Sequence, residues 1–170
     1  KRSGAYSWGA YGTHPYVLLN YADNLDSVFT LAHEMGHAMH TYYSNEHQSI
    51  TYAGYLIFVA EVASTCNESL LMHYMLEHCE DENERKYLMT HFLDDFRTTL
   101  FRQAQFAEFE HIAHRKMQKG EPVTKDVLNE LWHELNVQYY GPDMRVDDEI
   151  SYEWMRIPHF YTPYYVYQYS

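Results

Sequence analysis

Cysteine is scarce in this 170-residue chain: Cys66 and Cys79 are the two present, and they form no C-x-x-C pair. That argues against a disulfide framework or a cysteine zinc site and for reduced thiols in a cytoplasmic protein. Long hydrophobic runs are also missing. Nothing approaches the roughly 20 apolar residues of a membrane span, and no signal peptide opens the chain, so no membrane partner is expected. Positive charge is thin, with 12 Lys and Arg against 24 Asp and Glu, a net charge of −12. Such a balance argues against a nucleic-acid surface. Glycine and proline number 7 and 5, and neither occurs in residues 82–119. The length suits one domain, residues 1–170, with a real core. The chain starts at Lys1 without Met and stops at Ser170, which suggests a catalytic segment of a longer protein.

Histidine and tyrosine are plentiful instead, at 12 and 18. Three of the histidines lie in Leu31-Ala-His-Glu-Met-Gly-His-Ala-Met-His40. His33, Glu34 and His37 make an H-E-x-x-H pattern. On a helix, residues four apart lie roughly 6 Å apart along the axis and about 40° around it, so both imidazoles can reach one tetrahedral zinc. Glu34 follows the first ligand and lies beside the ion, where a carboxylate can take a proton from zinc-bound water. The motif is short and recurs by chance, so its context matters. Asp23 or Asn24 can cap a helix starting near Leu25, and Leu25, Val28, Phe29, Leu31 and Ala32 supply an apolar face. Gly36 and Ala38 keep bulk low around the two rings.

Two ligands under-hold a zinc ion, so a third is sought. After a polar loop expected from Ser44 to Gly54, a second helix is predicted from about Leu56 to His78. Within it Glu61 lies in apolar surroundings, where a carboxylate is costly unless it is paired or metal-bound. Ser64, Thr65 and Glu68 continue a polar stripe, which solvent exposure would explain equally well. Glu61 comes 24 residues after His37, enough for a turn and a returning antiparallel helix, and is the predicted third ligand. Glu68 is the candidate for orienting a ligand histidine from behind. His40 competes, but it stands about 10 Å along the axis from His33, and the metzincin spacing that brings in a third histidine is absent. It is expected to pack.

The remaining segments frame that site. Gly4-Ala-Tyr-Ser-Trp8 and Tyr16-Val-Leu-Leu-Asn-Tyr21 predict a hairpin or small edge sheet. Gly4, Ala5 and Tyr6 could pair with an extended peptide, or the hairpin could simply cover the core. A long helix over residues 82–119, with Tyr87, Leu88, Phe92, Phe96, Leu100, Phe101, Ala104, Phe109 and Ile112 on its apolar face, reads as scaffold. A further helix from Thr124, its cap, to Tyr140 is closed by Gly141-Pro142. The last stretch, Trp154 to Tyr169, holds six tyrosines and His159. Core lining is one explanation of such a run; another is a set of donors, His159 or a tyrosine hydroxyl, facing an oxyanion. Pro163 is expected to start a helix there.

Taken together, H-E-M-G-H, then F-V-A-E-V-A-S-T-C-N-E, then P-H-F-Y-T-P-Y-Y-V-Y-Q-Y resembles the oligoendopeptidase F branch of the thimet-oligopeptidase family, across almost the whole chain. The first block is shared by many zinc peptidases, and the other two are far more specific. The resemblance implies a mainly α, zincin-like catalytic domain, part of a larger helical peptidase whose channel admits short peptides. It implies one Zn2+ per chain held by His33, His37 and Glu61, with Glu34 as general base. It also implies oxyanion donors at His159 and Tyr167, and Tyr161 and Tyr164 near the substrate. The expected chemistry is zinc-promoted peptide hydrolysis without an acyl-enzyme. The alternative is a helical binding module whose structural zinc is closed by a fourth ligand such as His40 or His47.

Overall fold

A computed structural model describes residues 4–168. The described chain is mainly helical with one two-stranded sheet, as expected. It divides after Thr90 into two compact units.

The first unit opens with β1 (Ala5–Trp8) antiparallel to β2 (Tyr16–Leu19), in a register that pairs Ala5 with Leu19 and Tyr6 with Leu18. Helix α1 (Leu25–His47) follows, started by Asn24, whose side chain accepts the Ser27 N–H at 2.9 Å. This satisfies one of the donors left free in a first helical turn. The helix outlasts the loop expected from Ser44. Its polar last turn contains no helix breaker, and His47 Nδ1 donates to the Tyr43 carbonyl at 2.9 Å, which answers one of the terminal carbonyls. Helix α2 (Ile57–His78) packs along α1. Phe29, Met72 and Leu88 form the buried centre. Leu31, expected on the inner face of α1, is exposed.

Helix α3 (Glu82–Phe96), a π-helical stretch (Arg97–Phe101) and α4 (Arg102–Gln118) make up the long predicted helix. Its expected apolar face is only partly buried: Tyr87, Phe96, Leu100 and Phe101 are exposed. A π turn takes up an extra residue, so the periodicity before Arg97 does not carry into α4, where Gln105, Phe106, Phe109 and Glu110 turn inward. In the second unit α4 packs on α5 (Lys125–Tyr140). The latter is capped by Thr124 and closed by Gly141 at φ 80°, as read from sequence. Three short 3-10 helices complete the unit: Asp148–Arg156, Pro158–Tyr161 and Tyr165–Gln168. Trp132, fully buried, centres the core, with Phe109 and Phe160 edge-on to it at 5.0 and 5.7 Å. Edge-to-face rings pack this way because ring faces are negative and edges positive. Among the described residues no helix is long and apolar enough to cross a membrane.

Candidate metal centre

His33 and His37 project from one face of α1, and Glu61 meets them from the second turn of α2. The Nε2 atoms of the two rings are 3.1 Å apart, and Glu61 Oε2 lies 3.2 Å from the first and 3.5 Å from the second. Two donors at about 2.0–2.1 Å from one ion in tetrahedral geometry are separated by roughly 3.3 Å. The triangle therefore fits zinc, and its two imidazoles and one carboxylate are donors that zinc accepts. Glu68 Oε1 sits 3.3 Å from His33 Nδ1. A proton on that nitrogen leaves the Nε2 lone pair aimed at the centre.

The site is strained as a set of charges. Three lone-pair atoms this close repel unless a cation or proton stands between them. Burial opposes a charge on His33, but hydrogen bonds to Glu61 and Glu68 outweigh it and push its pKa up to about 10. Hydrogen bonds from His33 and then His37 hold Glu61 well below the usual carboxylate range, with burial opposing. Glu34 moves the other way. It is 7% exposed, its Oε2 has no hydrogen-bond partner, and burial raises its pKa against the pull of His33 and His37. A carboxylate of that kind is a better proton acceptor than an exposed one.

Close approach of the helices makes the convergence possible. A Cβ on Gly36 would lie 2.7 Å from both the Ala63 carbonyl oxygen and Ser64 Cα. Only glycine lets α2 come that near between the two histidines. Ser64, fully buried, sets its hydroxyl 2.9 Å from Glu61 Oε2, and Asn67 Nδ2 donates to the Ala32 carbonyl at 2.6 Å. Sequence reasoning gave Gly36 a weaker role and passed over Asn67. The signal available was a glycine between the ligands facing the small Ala63-Ser64 pair.

His40 lies outside this group. It stacks on Tyr55 with ring centroids 3.8 Å apart and 10° between planes, while His47 is bonded within its own helix turn. Among the described residues, His33, His37 and Glu61 are the cluster that can hold an ion. Their side chains remain 27%, 17% and 26% exposed, so the centre is open on one side.

The other predicted site residues are placed as follows. In β1, Gly4 has φ 103° and its carbonyl accepts from Asn20 Nδ2 at 2.5 Å; Ala5 pairs inward with β2, and Tyr6 is exposed. His159, Tyr161, Tyr164 and Tyr167 belong to the second unit. The His159 ring lies 4.9 Å from that of Tyr165. The hydroxyl of Tyr161 donates to the Met155 carbonyl at 2.7 Å and that of Tyr167 to the Ala107 carbonyl at 3.1 Å. No α-helix starts at Pro163. The chain turns there because Tyr164 takes φ 61° and gives its N–H to Glu110.

Comparison with known proteins extends these observations. The sequence profile of peptidase family M3 matches residues 1–170. Over all 170 residues the chain is 55% identical to oligopeptidase PepF of Bacillus subtilis (strain 168) and 50% identical to an oligoendopeptidase F homolog of Lactococcus lactis subsp. lactis (strain IL1403). It spans 25% and 28% of their lengths. Among solved structures, a protein from Chlamydophila abortus superposes with a TM-score of 0.82 at 48% identity, over 99% of this chain and 28% of that one. Oligoendopeptidase-F from Enterococcus faecium gives 0.70 at 49% identity, over 85% of this chain and 25% of that one.

Proposed function

The chain belongs to peptidase family M3, in its oligoendopeptidase F branch, and on that premise we propose that it is the catalytic segment of a zinc endopeptidase that cleaves short oligopeptides. The observation that carries this reading is the three-donor triangle of His33, His37 and Glu61 with one side open. Catalytic zinc sites keep three protein ligands and a free position, whereas structural sites close all four. Zinc held there would supply Lewis acidity towards water and the scissile carbonyl.

The chain's own residues do the rest. His33 and His37 offer Nε2, and Glu68 keeps the His33 proton on Nδ1. Glu34 takes the proton of the attacking water as the new C–O bond forms. It then returns that proton to the amine as the C–N bond breaks, so the step balances without a covalent intermediate. Gly4, Ala5 and Tyr6 lie along a strand with a free edge, which an extended peptide backbone can extend. His159 and Tyr167 serve as donors to the developing oxyanion, with Tyr161 and Tyr164 against the substrate. A phenol has one proton, so Tyr167 must release the Ala107 carbonyl to act. Both compact units belong to one catalytic segment in this reading. The two unbridged cysteines support a reducing, cytoplasmic setting, and partners are peptides rather than nucleic acid or membrane.

The test is Glu34→Gln in the full-length protein. Cleavage of a quenched peptide should fall by about 10²–10⁴-fold, the range of general-base catalysis, while zinc stays bound at one per chain. Full activity in zinc-loaded protein would remove Glu34 from the base role.

A further inference from the structure

Helix α4 carries no chemical motif, yet it buries a carboxylate. Glu110 is 5% exposed, and no lysine or arginine faces it among the described residues. Burying a charge this way is costly without a compensating donor. The donor it has is a backbone amide far along the chain: Tyr164 N–H reaches Glu110 Oε1 at 2.7 Å. Tyr164 needs such a partner, because its φ of 61° lies in the left-handed region that a bulky side chain seldom occupies. Hydrogen bonds to a charged acceptor are roughly twice as strong as neutral ones.

Neighbouring contacts make the grip specific. His114, one turn further along α4, meets the Tyr164 ring edge-on at 4.9 Å, and its Nε2 is 3.6 Å from the same Glu110 oxygen. Val166 is buried in the core beside Phe106 and Phe109, and Tyr167 reaches back to Ala107. The stretch 164–167 is thus held along one face of α4, with Glu110 at the point where the chain turns.

We propose that Glu110 is a positioning residue: its carboxylate fixes the left-handed turn at Tyr164 and so sets the direction of the tyrosines that follow. The consequence for catalysis rests on the function proposed above, in which those tyrosines serve the substrate and the oxyanion. The turn itself does not depend on that function.

The experiment compares Glu110→Gln and Glu110→Ala in the full-length protein. Hydrogen exchange at the Tyr164 amide reads the turn directly, and kcat and KM read its consequence. Exchange should speed up by about tenfold or more in the alanine variant and by less in the glutamine variant, which keeps an acceptor oxygen. With zinc content unchanged, kcat should fall by about tenfold while KM moves little, as expected when a group acting in the transition state is misplaced. If the alanine variant does not fold, the near-isosteric glutamine variant carries both readouts. Unchanged exchange at Tyr164 in a folded variant overturns the proposal, and so does faster exchange with kcat unaltered. A wild type that cleaves no peptide would refute the peptidase function while the exchange result still decides the turn.

Discussion

Both units hold carboxylates close to partner groups, and the partners differ in kind. In the second unit each is met by hydrogen-bond donors. Glu153 takes Arg102 and Arg156, each at 2.6 Å, Glu108 takes the Tyr139 hydroxyl at 2.9 Å, and Glu110 takes a backbone amide. In the first unit, Glu61 faces two histidine nitrogens whose useful state is a lone pair. Donor meeting acceptor closes an interaction and makes scaffold. Acceptors converging on one another leave a gap that only a proton or a metal ion fills, and that is the mark of a site.

The strongest way to break this contrast is to remove one member of the triangle. Glu61→Ala should lower zinc affinity by more than about 10²-fold, beyond the 10–100-fold that the loss of an orienting partner costs. Competition against a chromophoric chelator measures it. Zinc affinity unchanged without Glu61 would mean that the convergence is incidental.

A subtler change sharpens the contrast by moving the helices apart. Gly36→Ala leaves every ligand present but puts a methyl group 2.7 Å from the α2 backbone. Overpacking of this kind costs about 1–3 kcal/mol, seen as a lower Tm. Zinc affinity should fall with it, because Glu61 is carried away from the histidines. A stability loss with zinc affinity intact would separate the close approach from the site.

The smallest expected effect concerns the scaffold alone. Burial pushes the Glu153 carboxyl up, but Arg102 and Arg156 outweigh it and hold it below its ordinary 4.5. A depressed folded pKa means that the stabilisation is complete above about pH 4.5 and lost as pH falls through the folded value. Glu153→Gln should cost about 2 kcal/mol at neutral pH, the scale of hydrogen bonds to charged groups, and should flatten the acid limb of the melting curve. Zinc affinity should not change. A loss of zinc in this variant would blur the distinction between the two kinds of carboxylate.

Much of this contrast was legible in the residues. The H-E-x-x-H spacing, the return of Glu61 after 24 residues and the caps at Asn24 and Thr124 are local rules, and each took its expected form. What stayed hidden depended on geometry that local spacing does not fix. The π turn at Arg97–Phe101 shifts the inward face, so Tyr87 and Leu100 looked like core and Gln105 and Glu110 did not. A proline at position 163 favours a helix start locally, but a carboxylate 54 residues away pulls the next amide into a left-handed turn. The importance of Gly36 appears only when α2 lies against it.

The central claim is that the two histidines and Glu61 share one zinc ion with a position left open. Zinc-edge X-ray absorption on the full-length, zinc-loaded protein tests it most directly. The account predicts two imidazole nitrogens at about 2.0–2.1 Å, a carboxylate oxygen at about 2.0–2.2 Å and one exchangeable water, with the carboxylate contribution lost in Glu61→Ala. A third imidazole or a thiolate in the shell, or a spectrum that Glu61→Ala leaves unchanged, would contradict it.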